Sequence, residues 1–170
     1  MRVINKQDFD TLVGNDKYYK TRWSYMRQAA AIASEFIPGK ILEIGAYTLP
    51  IVSGCDTMDV KRYKMATGEY QTYVHDASER WPIEDKAYDL VIALQVWEHI
   101  PDPVAAFMEM VRCSKAAVMS FPHMWDWPED ANHHMIDDEK ISKWTIGMTP
   151  AESMLFKRNK RDKMMNLYVF

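Results

Sequence analysis

Lys40-Ile41-Leu42-Glu43-Ile44-Gly45-Ala46 decides how the rest of the chain is read. From Lys40 to Ile44 apolar residues surround one acid, and a glycine follows at once. A parallel strand buried on both faces reads this way when it ends in a turn suited to glycine. In open α/β sheets a nucleotide-sized ligand lies beyond the carboxyl ends of the strands, and the missing side chain at Gly45 lets it approach the backbone. Glu43 is costly to bury unpaired, so its carboxylate is expected to meet backbone N–H groups, water or a cation near the strand's end. Alone, the stretch also fits a plain core strand with a tight turn.

Downstream, Asp56-Thr57-Met58-Asp59-Val60 reads as a second short strand, and Asp59 comes fourteen positions after Gly45. Parallel strands end on one edge, so Asp59 is expected to face the crevice opened by Gly45, where a carboxylate can take both hydroxyls of a ribose. Between the two, Tyr47-Thr48-Leu49-Pro50 reaches Ser53-Gly54-Cys55 within a few residues, which leaves little room for a crossover helix. Gln71 to Val74 alternates as a third, outer strand and runs into His75-Asp76-Ala77-Ser78, so Asp76 is another strand-end acid. Ala87 to Leu94 is nearly all apolar in its second half and reads as the central strand, with Gln95-Val96-Trp97-Glu98-His99-Ile100 at its carboxyl end. Pro101-Asp102-Pro103 then opens a helix from Val104 to about Cys113. Lys115 to Phe121 is a fifth strand, expected to stop at Pro122, and Asp137 to Trp144 reads as a short helix led by acids. Glu152 to Lys157 and Met164 to Phe170 read as an antiparallel hairpin joined by Arg158-Asn159-Lys160-Arg161-Asp162.

Upstream, Trp23, Met26, Ala30, Ala33 and Ile37 form an apolar stripe at spacings of three and four, which predicts a helix over Tyr18 to Phe36, stopped by Pro38-Gly39. Residues 1 to 16 are polar and end in the turn signal Gly14-Asn15-Asp16. Residues 1–38 are thus an N-terminal helical segment and 39–170 the core sheet and helices of a single domain.

Composition narrows the function classes. A formal net charge of -3 argues against a surface that coats nucleic acid. The two cysteines, Cys55 and Cys113, are too few for a disulfide scaffold and lack metal-type pairing, which favours a reducing cytoplasm. The first residues lack an apolar leader, and no run approaches the roughly 18 apolar residues that span a bilayer. The basic residues Lys157, Arg158, Lys160, Arg161 and Lys163 fit a solvated hairpin turn better than a phosphate-binding patch.

With these pieces placed, the chain resembles the class I S-adenosylmethionine-dependent methyltransferases, in particular the methyltransferase type 11-like group. Leu42-Glu43-Ile44-Gly45-Ala46 matches the first motif, Asp59 the ribose-binding acid, and Asp76-Ala77 the adenine-side acid. Tyr88-Asp89-Leu90-Val91 with Trp97-Glu98-His99-Ile100 matches the fourth strand and its cofactor-facing loop. The resemblance implies a Rossmann-like, doubly wound, mostly parallel α/β sheet of seven strands with an antiparallel C-terminal hairpin, the last strand inserted beside the fifth. It also implies S-adenosylmethionine bound along Glu43, Gly45, Ala46, Asp59, Val60, Asp76, Ala77, Gln95 and Val96. Family members usually carry two or three glycines in the first motif, whereas Tyr47 and Leu49 stand where the second and third would be.

Methyl transfer needs in-line positioning and, for an acceptor that loses a proton, a base near neutrality, for which histidine is suited. His133 and His134 are the candidate bases, because the loop from Pro122 to Met135 is expected to roof the substrate side with Trp125 and Trp127 for stacking. His99 is expected to shape the cofactor loop. His123, His133, His134 and Asp137 could supply metal ligands, but their spacing matches no ligand motif, so no metal is assigned. The expected function is methyl transfer to an oxygen or nitrogen of a small-molecule or sugar acceptor. The alternative is a cofactor-fold protein that binds without transferring and serves as a scaffold subunit. The oligomeric state is not legible.

Overall fold

A computed structural model describes residues 1–19, 21–158 and 163–170 of the protein. In chain order the elements are β1 (Arg2–Val3), α1 (Lys6–Val13), α2 (Trp23–Ser34), β2 (Ile41–Ile44), β3 (Val52–Ser53), β4 (Asp56–Asp59) and β5 (Tyr73–Val74). Next come β6 (Tyr88–Leu94), a 3-10 turn (Trp97–His99), α3 (Pro103–Cys113), β7 (Ser114–His123), α4 (Asp138–Trp144), β8 (Glu152–Lys157) and β9 (Met164–Val169). Among the described residues the main sheet has seven strands in the order β5-β4-β2-β6-β7-β9-β8. The first five pair in parallel, and β9 lies antiparallel between β7 and β8.

The sheet is buried on both faces because successive side chains of its central strands point to opposite sides and both sets are apolar. Val91 and Ala93 of β6 join one core with Phe107 and Met110 of α3 and with Ile141 and Trp144 of α4. Leu90 and Ile92 join the other with Ala29, Ala30 and Ala33 of α2 and Phe9 of α1.

Several boundaries differ from the sequence reading. The helix expected from Tyr18 begins at Trp23 and ends at Ser34, so the Tyr18, Tyr19 and Arg22 side chains stand on the chain that leads into it. Helix α1 was not expected. Its signal was a capping box, in which the Asn5 side chain accepts from Asp8 N (2.9 Å) and the Asp8 carboxylate accepts from Asn5 N (3.0 Å). The third strand is shorter, only Tyr73–Val74. Pro122 does not stop β7, which continues to His123. Beyond the pairing of Leu94 with Ser120, β7 has outrun β6, so a residue without an N–H interrupts no ladder on that side. The hairpin is present, but residues 159–162 of the turn and basic run lie outside the described residues.

The short connection after β2 has no helix. Instead β3 pairs antiparallel with β1, and the Glu43 carboxylate accepts the Ile51 N–H at 2.7 Å. Glu43 is thus a buried acid that meets backbone N–H groups, and burial pushes its pKa up to about 8 against the hydrogen bonds from Ile51 and Val52. No helix among the described residues is long and apolar enough to cross a membrane. Cys55 and Cys113 are free thiols.

Candidate active site

The carboxyl ends of the parallel strands frame the site. Ile44 pairs with Met58, and Gly45 N donates to Met58 O at 2.8 Å, so Gly45 and Asp59 leave the sheet side by side. His75 N donates to Asp59 O at 3.0 Å and extends the same edge to β5. Beyond these ends lies a cavity of about 420 Å³. Such a volume suits a cofactor-sized ligand. Gly45, Asp59, Val60, Asp76, Ala77, Gln95 and Val96 all line it, with Tyr18, Tyr47, Tyr63, His75 and His99. Of the nine residues expected to hold cofactor, Glu43 and Ala46 stand elsewhere, in a small recess of about 20 Å³ behind the loop.

Local geometry explains why these residues are where they are. Gly45 has φ +65°, and a Cβ there would fall 2.4 Å from Val96 Cγ2, so the glycine is required both by its left-handed backbone and by the close approach of Val96. Tyr47 takes φ 55°, holding with a large side chain the left-handed turn that a second glycine would favour. Its ring packs against Tyr18 (5.1 Å) and edge-on to Tyr63 (4.8 Å), making an aromatic wall in place of the expected glycines. Gln95, at the end of β6, also has a positive φ (60°), and its Nε2 donates to Ser120 Oγ at 3.3 Å. Burial raises the Asp59 carboxyl above its usual range, although it faces the backbone N–H groups of Lys61, Val60 and Tyr47. The Asp76 carboxylate accepts from Ser78 N at 2.8 Å and fixes the turn after β5. Acids at neighbouring strand ends and a glycine turn thus line one cavity.

The predicted bases separate. His134 Nδ1 accepts from Trp127 N at 3.2 Å and lies 3.4 Å from Asp126, so His134 ties the roof loop together. His133 faces inward: its ring meets His99 edge-on at 5.2 Å and stacks on Trp127 (5.2 Å) and Trp125 (6.0 Å). The two tryptophans expected to stack on substrate therefore hold His133. Burial lowers the pKa of both His99 and His133, and the His99 charge lowers that of His133 further. His123 is engaged with Asn166 Nδ2 at 2.9 Å. Arg158 and Lys163, from the basic run, lie over the Trp125 ring at 5.2 and 4.0 Å.

Three features escaped the sequence reading. His75 lines the cavity with Nε2 buried and without a hydrogen-bond partner among the described residues, and its only sequence signal was its place before Asp76. Glu98 is 1% exposed, Oε2 has no hydrogen-bond partner among the described residues, and burial pushes its pKa up to about 8. Asp130 accepts at Oδ1 from Asn132 N (3.0 Å) and His133 N (3.3 Å) and so shapes the loop that carries His133.

Known proteins agree with this geometry. Residues 42–118 match the family model described as Methyltransferase domain. The N-methyltransferase NodS from Bradyrhizobium japonicum WM9, solved with S-adenosylhomocysteine, has a TM-score of 0.69 at 16% identity over 96% of each chain. The 1,6-didemethyltoxoflavin-N1-methyltransferase of Burkholderia thailandensis, solved with 1,6-didemethyltoxoflavin and S-adenosylhomocysteine, has a TM-score of 0.66 at 15% identity over 99% of this chain and 91% of that one. Magnesium protoporphyrin IX methyltransferase from Synechocystis PCC 6803, solved with S-adenosylmethionine, has a TM-score of 0.63 at 14% identity over 95% and 88%. No curated protein matches the sequence. The strand order, the crevice and the match over β2 to β7 define a Rossmann-like methyltransferase. Over residues 42–118 the chain is similar to a methyltransferase domain, and its fold is shared with methyltransferases solved with S-adenosylmethionine or S-adenosylhomocysteine.

Proposed function

We propose that residues 1–170 act as one domain that transfers a methyl group to an oxygen or nitrogen of a small-molecule or sugar acceptor in the cytoplasm. S-adenosylmethionine supplies a methyl carbon made electrophilic by its sulfonium. In this reading Asp59 takes the ribose hydroxyls, and Val60, Asp76 and Ala77 border the adenine. The backbone at Gly45-Ala46 meets the methionine end, and Gln95-Val96 forms the floor. Glu43 acts at one remove, by holding the loop at Ile51. An acceptor lone pair forms a bond to the methyl carbon as the carbon–sulfur bond breaks, its electron pair passes to sulfur, and the acceptor's proton passes to water at the crevice or to an imidazole beside it. His133 is assigned to the acceptor's reacting group, and His134 to positioning the loop.

The observation that carries this reading is that His99 belongs to two places at once: it lines the cofactor cavity and its ring meets that of His133. The acceptor side therefore opens onto the methyl side. A small acceptor is supported by the net charge of -3, and by the small molecule bound to the Burkholderia relative. The two free thiols support a reducing compartment.

The test is incubation with methyl-labelled cofactor and a metabolite extract. Label is expected in a low-mass product. Label in no fraction, with cofactor bound, would favour the scaffold reading, and salt-sensitive labelling of RNA or DNA would replace the small acceptor.

A further inference from the structure

His99, Asp130 and His133 bring one donor atom each to within 4.8 Å of the others. Asp130 and His133 are three residues apart on a turn closed by His134 N donating to Asp130 O at 2.8 Å, a spacing that puts both side chains on one side. His99 arrives from the 3-10 turn after β6. His133 Nε2 is buried and has no hydrogen-bond partner among the described residues, although the ring is fixed by stacking on Trp125 and Trp127. Next to His99, the buried Glu98 carries a second unpartnered atom, Oε2, within electrostatic reach of Asp130. One carboxyl group and two imidazoles held this close, with His133 Nε2 lacking a partner among the described residues, are arranged for a cation.

We propose that His99, Asp130 and His133 are the ligands of one divalent transition-metal ion, bound at the rim of the cofactor cavity with a coordination position left for the methyl acceptor. The inference rests on the functional reading of this crevice and states how His133 serves the acceptor. Two imidazoles and one carboxylate suit zinc, cobalt or iron, whereas magnesium and calcium prefer oxygen ligands throughout. A tetrahedral zinc holds nitrogen and oxygen ligands at about 2.0–2.2 Å, hence roughly 3.4 Å from one another, so the donors need to draw in by about 1.4 Å at most. Three protein ligands and an open position make a site that polarises what binds there. An acceptor hydroxyl on the ion would release its proton to water more readily, leaving the oxygen as nucleophile.

The test is titration of chelator-stripped, full-length protein with Co²⁺, followed by visible absorption, and with Zn²⁺ by calorimetry. One equivalent is expected to bind. His133→Ala, Asp130→Ala and His99→Ala should each weaken binding by about tenfold or more. His99 is exposed, so its variant tests the site even if the others fail to fold. His134→Asn, on the same turn and keeping an acceptor for Trp127 N, should bind metal like wild type. S-adenosylhomocysteine affinity should stay unchanged in His133→Ala, Asp130→Ala and His134→Asn, which lie outside the cavity lining. A Co²⁺ spectrum that is absent or not stoichiometric, or equal loss in His134→Asn, overturns the metal site. Undiminished methyl transfer by stripped protein overturns it too and leaves the methyltransferase reading standing. Stoichiometric Co²⁺ with no cofactor binding supports the metal and removes the reading of the cavity.

Discussion

The two sides of the crevice are built by different means. On the cofactor side, Gly45 and Asp59 are delivered by the backbone ladder itself, and His75 joins them through its N–H to Asp59 O. On the side proposed for the acceptor, His133 is placed by a loop, by stacking on two tryptophans and by an Asp130 turn, and its Nε2 has no hydrogen-bond partner among the described residues. In the proposed reading, strand register fixes the residues that meet the cofactor, and loop packing fixes those that suit the acceptor. Substitutions on the first side should therefore act on cofactor affinity, and on the second, on turnover.

The largest effect should come from the acceptor side. His133→Ala is expected to lower turnover by about a hundredfold or more, with cofactor affinity near wild type, as measured by steady-state kinetics beside calorimetry. Equal losses in both quantities would erase the distinction between the two sides.

Next is Asp59→Ala, which removes a partly buried carboxylate from the strand end. The cost should be about 1.5–3 kcal/mol of cofactor binding, roughly tenfold to a hundredfold in Kd, from the lost charged hydrogen bonds. Turnover at saturating cofactor should fall far less.

Gly45→Ala tests the loop geometry. Its φ of +65° and the 2.4 Å approach to Val96 both oppose a side chain, and left-handed strain alone is worth about 1–3 kcal/mol. The melting temperature should drop, and adding Val96→Ala should recover only the part due to contact. Full recovery would mean that the backbone conformation carries no cost.

The smallest effect should be that of Glu43→Gln, which touches the loop behind the cofactor side. Burial pushes the Glu43 carboxyl up to about 8, from an ordinary value of 4.5. Between these values the folded protein keeps a proton that the unfolded chain gives up, so stability is fully present below pH 4.5 and is lost as pH rises through 8. The glutamine keeps an acceptor for Ile51 N–H and should flatten that slope. At pH 8 it should raise the melting temperature, by about 2–4 °C per kcal/mol recovered, and change little at pH 4. A slope unchanged in the variant would assign it to other groups.

The same contrast explains what the sequence disclosed. A strand announces itself by apolar runs and by what ends it, so Gly45, Asp59 and Asp76 were legible from Ile41 to Asp76, and the order of the sheet followed from the family resemblance. The Glu43 partner was foreseen in kind because a buried acid must be satisfied. The roof loop was legible only in composition: four aromatic or histidine side chains between Trp125 and His134 signalled a site, but which ring turned inward depended on contacts distant in sequence, such as His99 with His133. Asp130 has no signal in the sequence, because it lies on no periodic element, and Glu98 shows only as part of the loop after the fourth strand, with nothing to mark its burial. Tyr47 was marked as a departure from the glycine pattern, yet its neighbours Tyr18 and Tyr63, which make it part of a wall, come from both sides of it in the chain.

Calorimetry with S-adenosylhomocysteine on wild type, Asp59→Ala and His133→Ala tests the central claim most directly. Binding at one equivalent per chain, weakened in Asp59→Ala and intact in His133→Ala, is the predicted result. No heat and no thermal shift in the wild type at millimolar ligand would contradict the assignment of the cavity.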